Sequence, residues 1–344
     1  VEKGGLYVAG TRYKIDDFEP YLYMTTNWGK SWKRIDSGIP RDHFTRVVRA
    51  DPDRAGLLYA GTETTVYVSV NDGESWRPLH LDRTAERGQA LPVVPAYDME
   101  VKGDELVVAT HGRGFWVLGG LGLLRQLSDA RTTGDALFAP SPAHRVLSIS
   151  TLAQSVGVGK NYSAGNFGIG GTFYRKPTDG GGTARVFLDA GTNPPAGVVV
   201  NYFLAEEPSE ELKLAFTKPD GTPVHELSSA GADAPRPTAH AGMNRFVWDM
   251  RYASADLGPD SIRVGKGGPP VTAPLAVPGE YRVALSVGGS EHAETLTIVQ
   301  DPRSSAPQED LQAQRDLLLA VRDRTSEARR AVRRIVGISK QVQE

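Results

Sequence analysis

Thr25-Thr26-Asn27-Trp28-Gly29-Lys30-Ser31-Trp32 and Ser69-Val70-Asn71-Asp72-Gly73-Glu74-Ser75-Trp76 are two copies of one pattern, Ser/Thr-x-Asn-x-Gly-x-x-Trp. The asparagines and the tryptophans of the two copies both stand 44 residues apart, at 27 and 71 and at 32 and 76. A repeat of about 40 to 50 residues made of short strands is the mark of a β-propeller, whose blades are four-stranded sheets. An alternating strand precedes each copy, Tyr21-Leu22-Tyr23-Met24 and Val66-Tyr67-Val68-Ser69, as a half-buried strand requires. The pattern then makes the hairpin. The Asn accepts from backbone N–H groups across the turn, the Gly takes a positive φ, and the Trp lands on the returning strand and packs under the turn. This reading gives Thr25, Asn27, Gly29, Trp32, Ser69, Asn71, Gly73 and Trp76 a structural role. A calcium or sugar ligand at Asn27, Asn71 or Asp72 is the lesser reading of the same residues.

A strand ending in Gly-Thr lies upstream of each copy, Leu6-Tyr7-Val8-Ala9-Gly10-Thr11 and Leu58-Tyr59-Ala60-Gly61-Thr62. Leu106 to Leu118, containing Ala109-Thr110-His111-Gly112-Arg113-Gly114-Phe115-Trp116, continues the series but has Gly119-Gly120 where the turn Asn belongs. The signal fades near residue 125, giving about three blades, whereas a closed propeller has roughly 4 to 8. Residues 1–125 are therefore expected to be the C-terminal blades of an incomplete propeller, completed upstream in cis or by a partner chain.

Residues 126–183 read as a Gly-rich connector, with Ser163 to Gly171 its densest part. A phosphate-cradling role for those glycines fails on the missing helix and Lys-Ser/Thr pair. Over 184–300 short strands return, among them Ala184–Leu188, Val198–Leu204, Leu212–Phe216, Asn244–Asp249 and Gly279–Val287, with a hairpin at Pro219-Asp220-Gly221. Their number predicts an immunoglobulin-like β-sandwich with Trp248 and Tyr281 in its core. Pro and Gly across Ala234 to Pro274 predict a long loop. From 301 to 344 the apolar period becomes helical, with Leu311, Leu318, Val321, Ala328, Val332 and Ile335 on one stripe and Ser305 to Gln308 as a capping box. Arg322, Arg329, Arg330, Arg333 and Arg334 read as a solvated face interleaved with acids, ahead of a polyanion patch.

The fold class is thus mainly β: a partial propeller, an immunoglobulin-like sandwich and a C-terminal helix. A formal charge of −2 gives no global field for nucleic acid, and no apolar run reaches a membrane span. The absence of cysteine excludes disulfides and thiolate chemistry. The seven histidines are scattered rather than spaced as ligands, so neither metal nor cofactor is expected.

Residues just after the Gly-Thr ends should converge on the face where propellers bind ligands: Arg12, Tyr13, Lys14, Asp16 and Asp17, then Glu63, then His111 and Arg113. Glycoside hydrolysis needs two carboxyl groups roughly 5 to 9.5 Å apart. Glu63 with Asp16 or Asp17 is the only pair that qualifies, and a rim ion pair of Glu63 with Arg12 or Arg113 is the simpler reading. Arg12, Tyr13, Lys14, His111 and Arg113 are the ligand-binding candidates, and Asp98 reads as a structural acid.

The repeated turn resembles the Asp-box, or BNR repeat, of sialidases, sortilin and related propellers. The wider series is Leu57 to Glu63, the box, Ala109 to Trp116, Asn193-Pro194-Pro195-Ala196-Gly197, Gly242 to Arg251 and Pro278-Gly279-Glu280-Tyr281. That series resembles the C-terminal region of bacterial exported proteins labelled sortilin-like or BNR-repeat glycosyl hydrolases. Similar sequences tend to carry acids where Gly119-Gly120 stands here. The resemblance implies secretion or a periplasmic location, further blades upstream, and a glycan bound or hydrolysed on the propeller face. By the same resemblance Arg12 and Arg113 would clamp a substrate carboxylate. The alternative it leaves open is a non-catalytic, sortilin-like scaffold for a peptide.

Overall fold

The computed structural model describes residues 3–79, 91–127, 134–146, 159–164, 170–178, 183–187, 194–231, 235–257 and 273–343. The chain is mainly β, with a long helix at its C-terminal end. It divides into two compact units, residues 1–133 with 150–194 and residues 134–149 with 195–344.

The first unit begins with three antiparallel sheets in which strands follow chain order. The first joins β1 (Leu6–Arg12), β2 (Asp17–Thr25) and β3 (Lys33–Arg34). The second joins β4 (Thr45–Ala50), β5 (Leu58–Thr62), β6 (Val66–Ser69) and β7 (Arg77–Pro78). The third joins β8 (Ala96–Lys102), β9 (Glu105–Thr110) and β10 (Phe115–Gly119). Leu58, Ala60 and Tyr67 of the second sheet share a core with Leu22 and Ile35 of the first. Val47, Tyr59 and Val66 share another with Ala96, Met99, Leu106 and Val108 of the third. Covered on both faces, β5 is buried at every residue, which is why its sequence lacks the polar alternation of a half-exposed strand. The same packing explains Gly61, where a Cβ would meet Val47 Cγ1 at 2.7 Å and the Ala96 carbonyl oxygen at 2.9 Å.

The two repeated turns have the same hydrogen bonds. Thr25 Oγ1 accepts the Gly29 N–H at 3.0 Å, and Asn27 Oδ1 accepts the Ser31 N–H at 2.9 Å. Ser69 Oγ and Asn71 Oδ1 do the same for Gly73 and Ser75 at 2.9 and 3.0 Å. Positive φ extends to the residue before each glycine, at 62° for Trp28 and 60° for Asp72, as a tight hairpin with positive φ at both central residues requires. The tryptophans differ. Trp76 is 3% exposed, and its indole N–H donates to the Ile35 carbonyl of the first sheet. Trp32 lies against its own turn and stays 45% exposed.

After β10 the chain enters α1 (Leu121–Gln126) through Gly120 at φ 87°, so a helix stands where a third turn of the pattern would fall. Arg125 on this helix reaches Asp51, whose carboxylate is fully buried, with Nε at 3.0 Å from Oδ1. The same carboxylate accepts the Asp53 and Arg54 N–H groups at 2.9 and 3.0 Å and the Tyr59 hydroxyl at 3.2 Å. Burial, and then the Asp51 charge, push the Tyr59 hydroxyl upward.

The stretch expected to be a connector holds β11 (Ala136–Leu137), β12 (Ala143–Arg145), β13 (Gly159–Ala164) and β14 (Gly170–Pro177). β14 pairs with β13 on one side and with β15 (Thr183–Phe187) on the other, so the segment expected to open the sandwich closes this three-stranded sheet instead. Ladder bonds are main-chain bonds, and a Gly- and Ser-rich stretch can form them without a packing signature in its side chains. Residues 165–169 of the glycine-rich run lie outside the described residues, as do 258–272 of the expected loop.

In the second unit β16 (Val198–Leu204), β17 (Lys213–Thr217), β18 (Pro223–Ser228), β19 (Gly242–Trp248), β20 (Gly279–Val287) and β21 (Ser290–Gln300) precede α2 (Gln308–Gln343). Two sheets, ordered β11-β16-β19 and β12-β21-β20-β17-β18, share one core. Trp248 stacks on Phe216 with centroids 4.2 Å apart and meets Tyr281 edge-on at 6.1 Å. Both residues expected in the core are there. The β17–β18 hairpin turns at Lys218 to Thr222, with Gly221 at φ 84°.

The helix departs from expectation. Leu311 and Ser326 are buried and Leu319 packs on the core, but Leu318, Val321, Val332 and Ile335 of the expected stripe are exposed. Its anchoring face is polar as well as apolar: Ser326 Oγ accepts the Asp256 N–H at 3.1 Å, and Arg333 pairs with Asp256 at 2.7 Å. Gln308 donates to the Pro278 carbonyl at 2.7 Å rather than closing a capping box. No helix among the described residues is long and apolar enough to cross a membrane.

The buried carboxylate gives a direct test. Asp51→Asn leaves Arg125 without its counter-charge and should cost about 3 kcal/mol, whereas Asp98→Asn, in an exposed pair with Arg49, should cost under about 1 kcal/mol. Urea denaturation followed by tryptophan fluorescence separates the two, and equal midpoints would contradict the assignment.

Candidate functional site

The turns after β1, β5 and β9, at residues 13–16, 63–65 and 111–114, carry the candidates. What surrounds them is set by irregularities in the neighbouring strands. The register of β4 on β5 shifts between Thr45 and Val47, and that of β8 on β9 between Ala96 and Asp98. Arg46 and Tyr97 are the extra residues at these two bulges. A bulged residue leaves the ladder, and its side chain is re-aimed.

The two side chains meet. The Arg46 guanidinium lies 4.0 Å from the Tyr97 ring centroid, 4.9 Å from Phe44 and 5.6 Å from Tyr13. Tyr13 stacks on Phe44 at 5.1 Å, and Tyr97 stacks on His111 at 5.0 Å. Phe18 approaches Phe44 at 6.1 Å from the far end. Glu63 locks the centre, its Oε2 accepting from Arg46 Nε at 2.6 Å and Nη2 at 2.5 Å. The result is one row of rings crossing three sheets around a guanidinium that is 13% exposed. Tyr13, Phe18, Tyr97 and His111 present exposed edges or faces along it.

Three expected residues, Tyr13, Glu63 and His111, therefore fall in one array, and Arg46 joins them. Glu63 pairs with neither Arg12 nor Arg113. Arg12 and Asp17 form a second, local cluster: Arg12 Nη1 is 3.1 Å from Asp17 Oδ2, and the Tyr21 hydroxyl donates to the same oxygen at 2.7 Å. The Tyr21 hydroxyl, the Glu19 N–H and Arg12 hold the Asp17 carboxyl below its ordinary range, with the tyrosine the largest influence. Lys14 and Asp16 are exposed on the short turn, where Asp16 takes φ 57°. Arg113 is exposed too, and its carbonyl accepts the Trp116 indole N–H at 3.1 Å. Among the described residues no hydrogen bond or ion pair joins Glu63 to Asp16 or Asp17, or Arg12 to Arg113.

The turn asparagines are occupied internally. Besides accepting at Oδ1, Asn27 and Asn71 donate to Ser31 and Ser75 at 2.8 and 3.0 Å. Asp72 accepts from the Tyr7 hydroxyl, and Asp98 pairs with Arg49 at 2.5 Å. Sequence reasoning missed Arg46, Phe44 and Tyr97. It also missed His43, whose Nδ1 lies 2.7 Å from the Tyr67 hydroxyl and 2.8 Å from Thr64 Oγ1. Nothing in Thr45-Arg46-Val47 or Ala96-Tyr97-Asp98 marks a bulge, since neither contains the glycine that often does. Among the described residues no three His, Asp or Glu side chains are grouped to hold a metal ion.

No protein-family model matches the chain, and no curated protein matches it in sequence. Among solved structures it is similar to PorZ, an essential bacterial surface component of the type-IX secretion system of Porphyromonas gingivalis. That likeness has 14% identity and a TM-score of 0.26 over 86% of this chain and 37% of the other. It is also similar to an ancestral GH74 enzyme, at 13% identity and a TM-score of 0.22, over 86% of this chain and 34% of the other. The chain spans about a third of the length of each.

Because the Tyr21 hydroxyl is the main influence on Asp17, Tyr21→Phe should raise the Asp17 titration midpoint toward the ordinary carboxylate value. A depressed carboxyl contributes stability that is present above its unfolded pKa and is lost as pH falls through the folded one, so the variant should lose that contribution at a higher pH. NMR titration of the side-chain carboxyl reads the shift, and an unmoved midpoint would contradict the pairing.

Proposed function

We propose that the chain is the C-terminal part of an exported propeller protein that binds a glycan on the face where the turns at 13–16, 63–65 and 111–114 gather. In this reading each of the three sheets β1–β3, β4–β7 and β8–β10 is one blade, the first two carrying the Asp-box-type turn. Residues 1–125 end the propeller, the sheet β13–β15 comes after them in the chain, and the two sheets built from β11, β12 and β16–β21 are an immunoglobulin-like sandwich that precedes the helix α2. The observation that carries the reading is the row Tyr13, Phe44, Arg46, Tyr97 and His111. Exposed rings are rigid, amphipathic contact surfaces. Sugars present flat C–H faces to such rings and hydroxyls to polar groups at their edges.

Binding without hydrolysis fits the acids better than turnover does. A general acid needs a carboxyl with a raised pKa, and Asp17 is held low by its hydrogen bonds. Glu63 is committed to Arg46 through two contacts. The exposed Leu6, Val8 and Trp32 of the first sheet fit a further blade packing there, from the same chain or a partner. Such a blade would offer Trp32 a carbonyl as Ile35 offers one to Trp76.

The test is a binding screen of the chain against a broad glycan panel, repeated with Tyr97→Ala and Glu63→Gln. The wild type should bind without turnover. Tyr97→Ala should weaken binding about tenfold, the value of one stacked ring, and Glu63→Gln should weaken it by freeing Arg46. Turnover abolished by Glu63→Gln with binding retained would establish a hydrolase instead. A silent panel alongside peptide binding would establish the scaffold.

A further inference from the structure

The helix α2 runs for 36 residues, and one side of it packs on the described residues of the second unit. Leu311, Leu319, Arg322, Ser326 and Arg333 lie on that side, Arg322 donating to the Ala253 carbonyl at 3.3 Å. A second face is patterned just as regularly. Positions 318, 321, 325, 328, 332, 335, 339 and 342 step by alternating threes and fours, and five of the eight are Leu, Val or Ile. This is the a/d spacing of a coiled-coil seam. All five are exposed, from 43% at Leu318 to 80% at Val342. Between Val321 and Val332 the small Thr325 and Ala328 leave a shallow, open depression flanked by Arg324 and Arg329.

The flanks decide what such a seam accepts. Residues 322–334 contain six arginines and two acids. Asp323 and Glu327 are taken by Arg322 and Arg324, each at 2.7 Å, and Arg333 is taken by Asp256. Arg329, Arg330 and Arg334 have no ion-pair partner among the described residues. In coiled-coil lettering Arg322 and Arg329 hold e positions and Arg324 a g position, while the apolar Leu317, Ala331, Val336 and Ile338 fill the other e and g positions from 317 to 338. A parallel second copy would oppose Arg324 to Arg329, and an antiparallel copy would oppose e to e and g to g, so both arrangements set arginine against arginine. Like charges at these positions direct pairing away from self.

We propose that the exposed seam of α2 binds an acidic amphipathic helix of a partner protein, one with apolar residues at its own a and d positions and Asp or Glu at the e and g positions that face Arg324 and Arg329. A large side chain at the middle of that helix would fill the depression over Thr325 and Ala328. The surface is independent of the ring row in the first unit, so either assignment can fail alone.

The test uses the full chain and two labelled four-heptad probe helices, both with leucine at a and d, one with glutamate and one with lysine at e and g. Fluorescence anisotropy should show binding of the glutamate probe, weakened at least about tenfold by Val332→Asp. The double variant Arg324→Glu with Arg329→Glu should lose that probe and gain the lysine one, and this exchange does not depend on interpreting a loss. Val332 and Arg324 are exposed and Arg329 is half-buried on the helix surface, so circular dichroism should show the fold retained in both variants. Equal binding of the two probes, binding of neither, or a chain that sediments as a dimer broken by Val332→Asp would each overturn the proposal.

Discussion

The placement of Arg46 is the constraint on which the candidate site depends. A guanidinium with 13% exposure needs a counter-charge and a polarisable surround, and it has both in Glu63 and the rings of Phe44 and Tyr97. Cation–π contacts are worth about 0.5 to 2 kcal/mol each depending on desolvation. The ion pair keeps the charge from being stranded. Because the participants come from the three sheets β1–β3, β4–β7 and β8–β10, the contact orders the three turns relative to one another. The bulges at Arg46 and Tyr97 make it geometrically available.

The scaffold behind those turns is held at the opposite ends of the sheets by the repeated hairpins, whose Ser/Thr and Asn side chains replace backbone partners that a four-residue turn lacks. Trp76 shows how one such hairpin becomes a tertiary joint, since its indole N–H reaches the Ile35 carbonyl of the preceding sheet. Asp51 and Arg125 close the other side by tying α1 to the second sheet. Packing, not turn chemistry, then fixes how near the sheets stand, with Gly61 at one close approach.

These levels differ in how openly the amino-acid sequence displays them. The hairpins are legible because both copies carry the same side chains at the same offsets, and β5 and β20 match their expected bounds because apolar runs with turn residues at each end leave little choice. The strands β13 and β14 are not legible, since pairing through main-chain groups needs no side-chain pattern, and β15 is legible as a strand but not as their partner. The stripe on α2 is legible as a stripe, yet its partner is not: the second unit takes the neighbouring face through Leu319, Ser326 and Arg333. At the site, Tyr13, Glu63 and His111 follow from strand ends. Arg46 and Tyr97 do not, because a one-residue shift in register decides which way a side chain points.

A double-mutant cycle on Arg46→Met and Tyr97→Leu, scored by chemical denaturation of the chain, measures the central contact most directly. The account predicts a coupling of about 1 kcal/mol between the two substitutions. Strictly additive losses would mean that the guanidinium and the ring do not support one another, and would contradict the row of rings as the element that assembles the three turns.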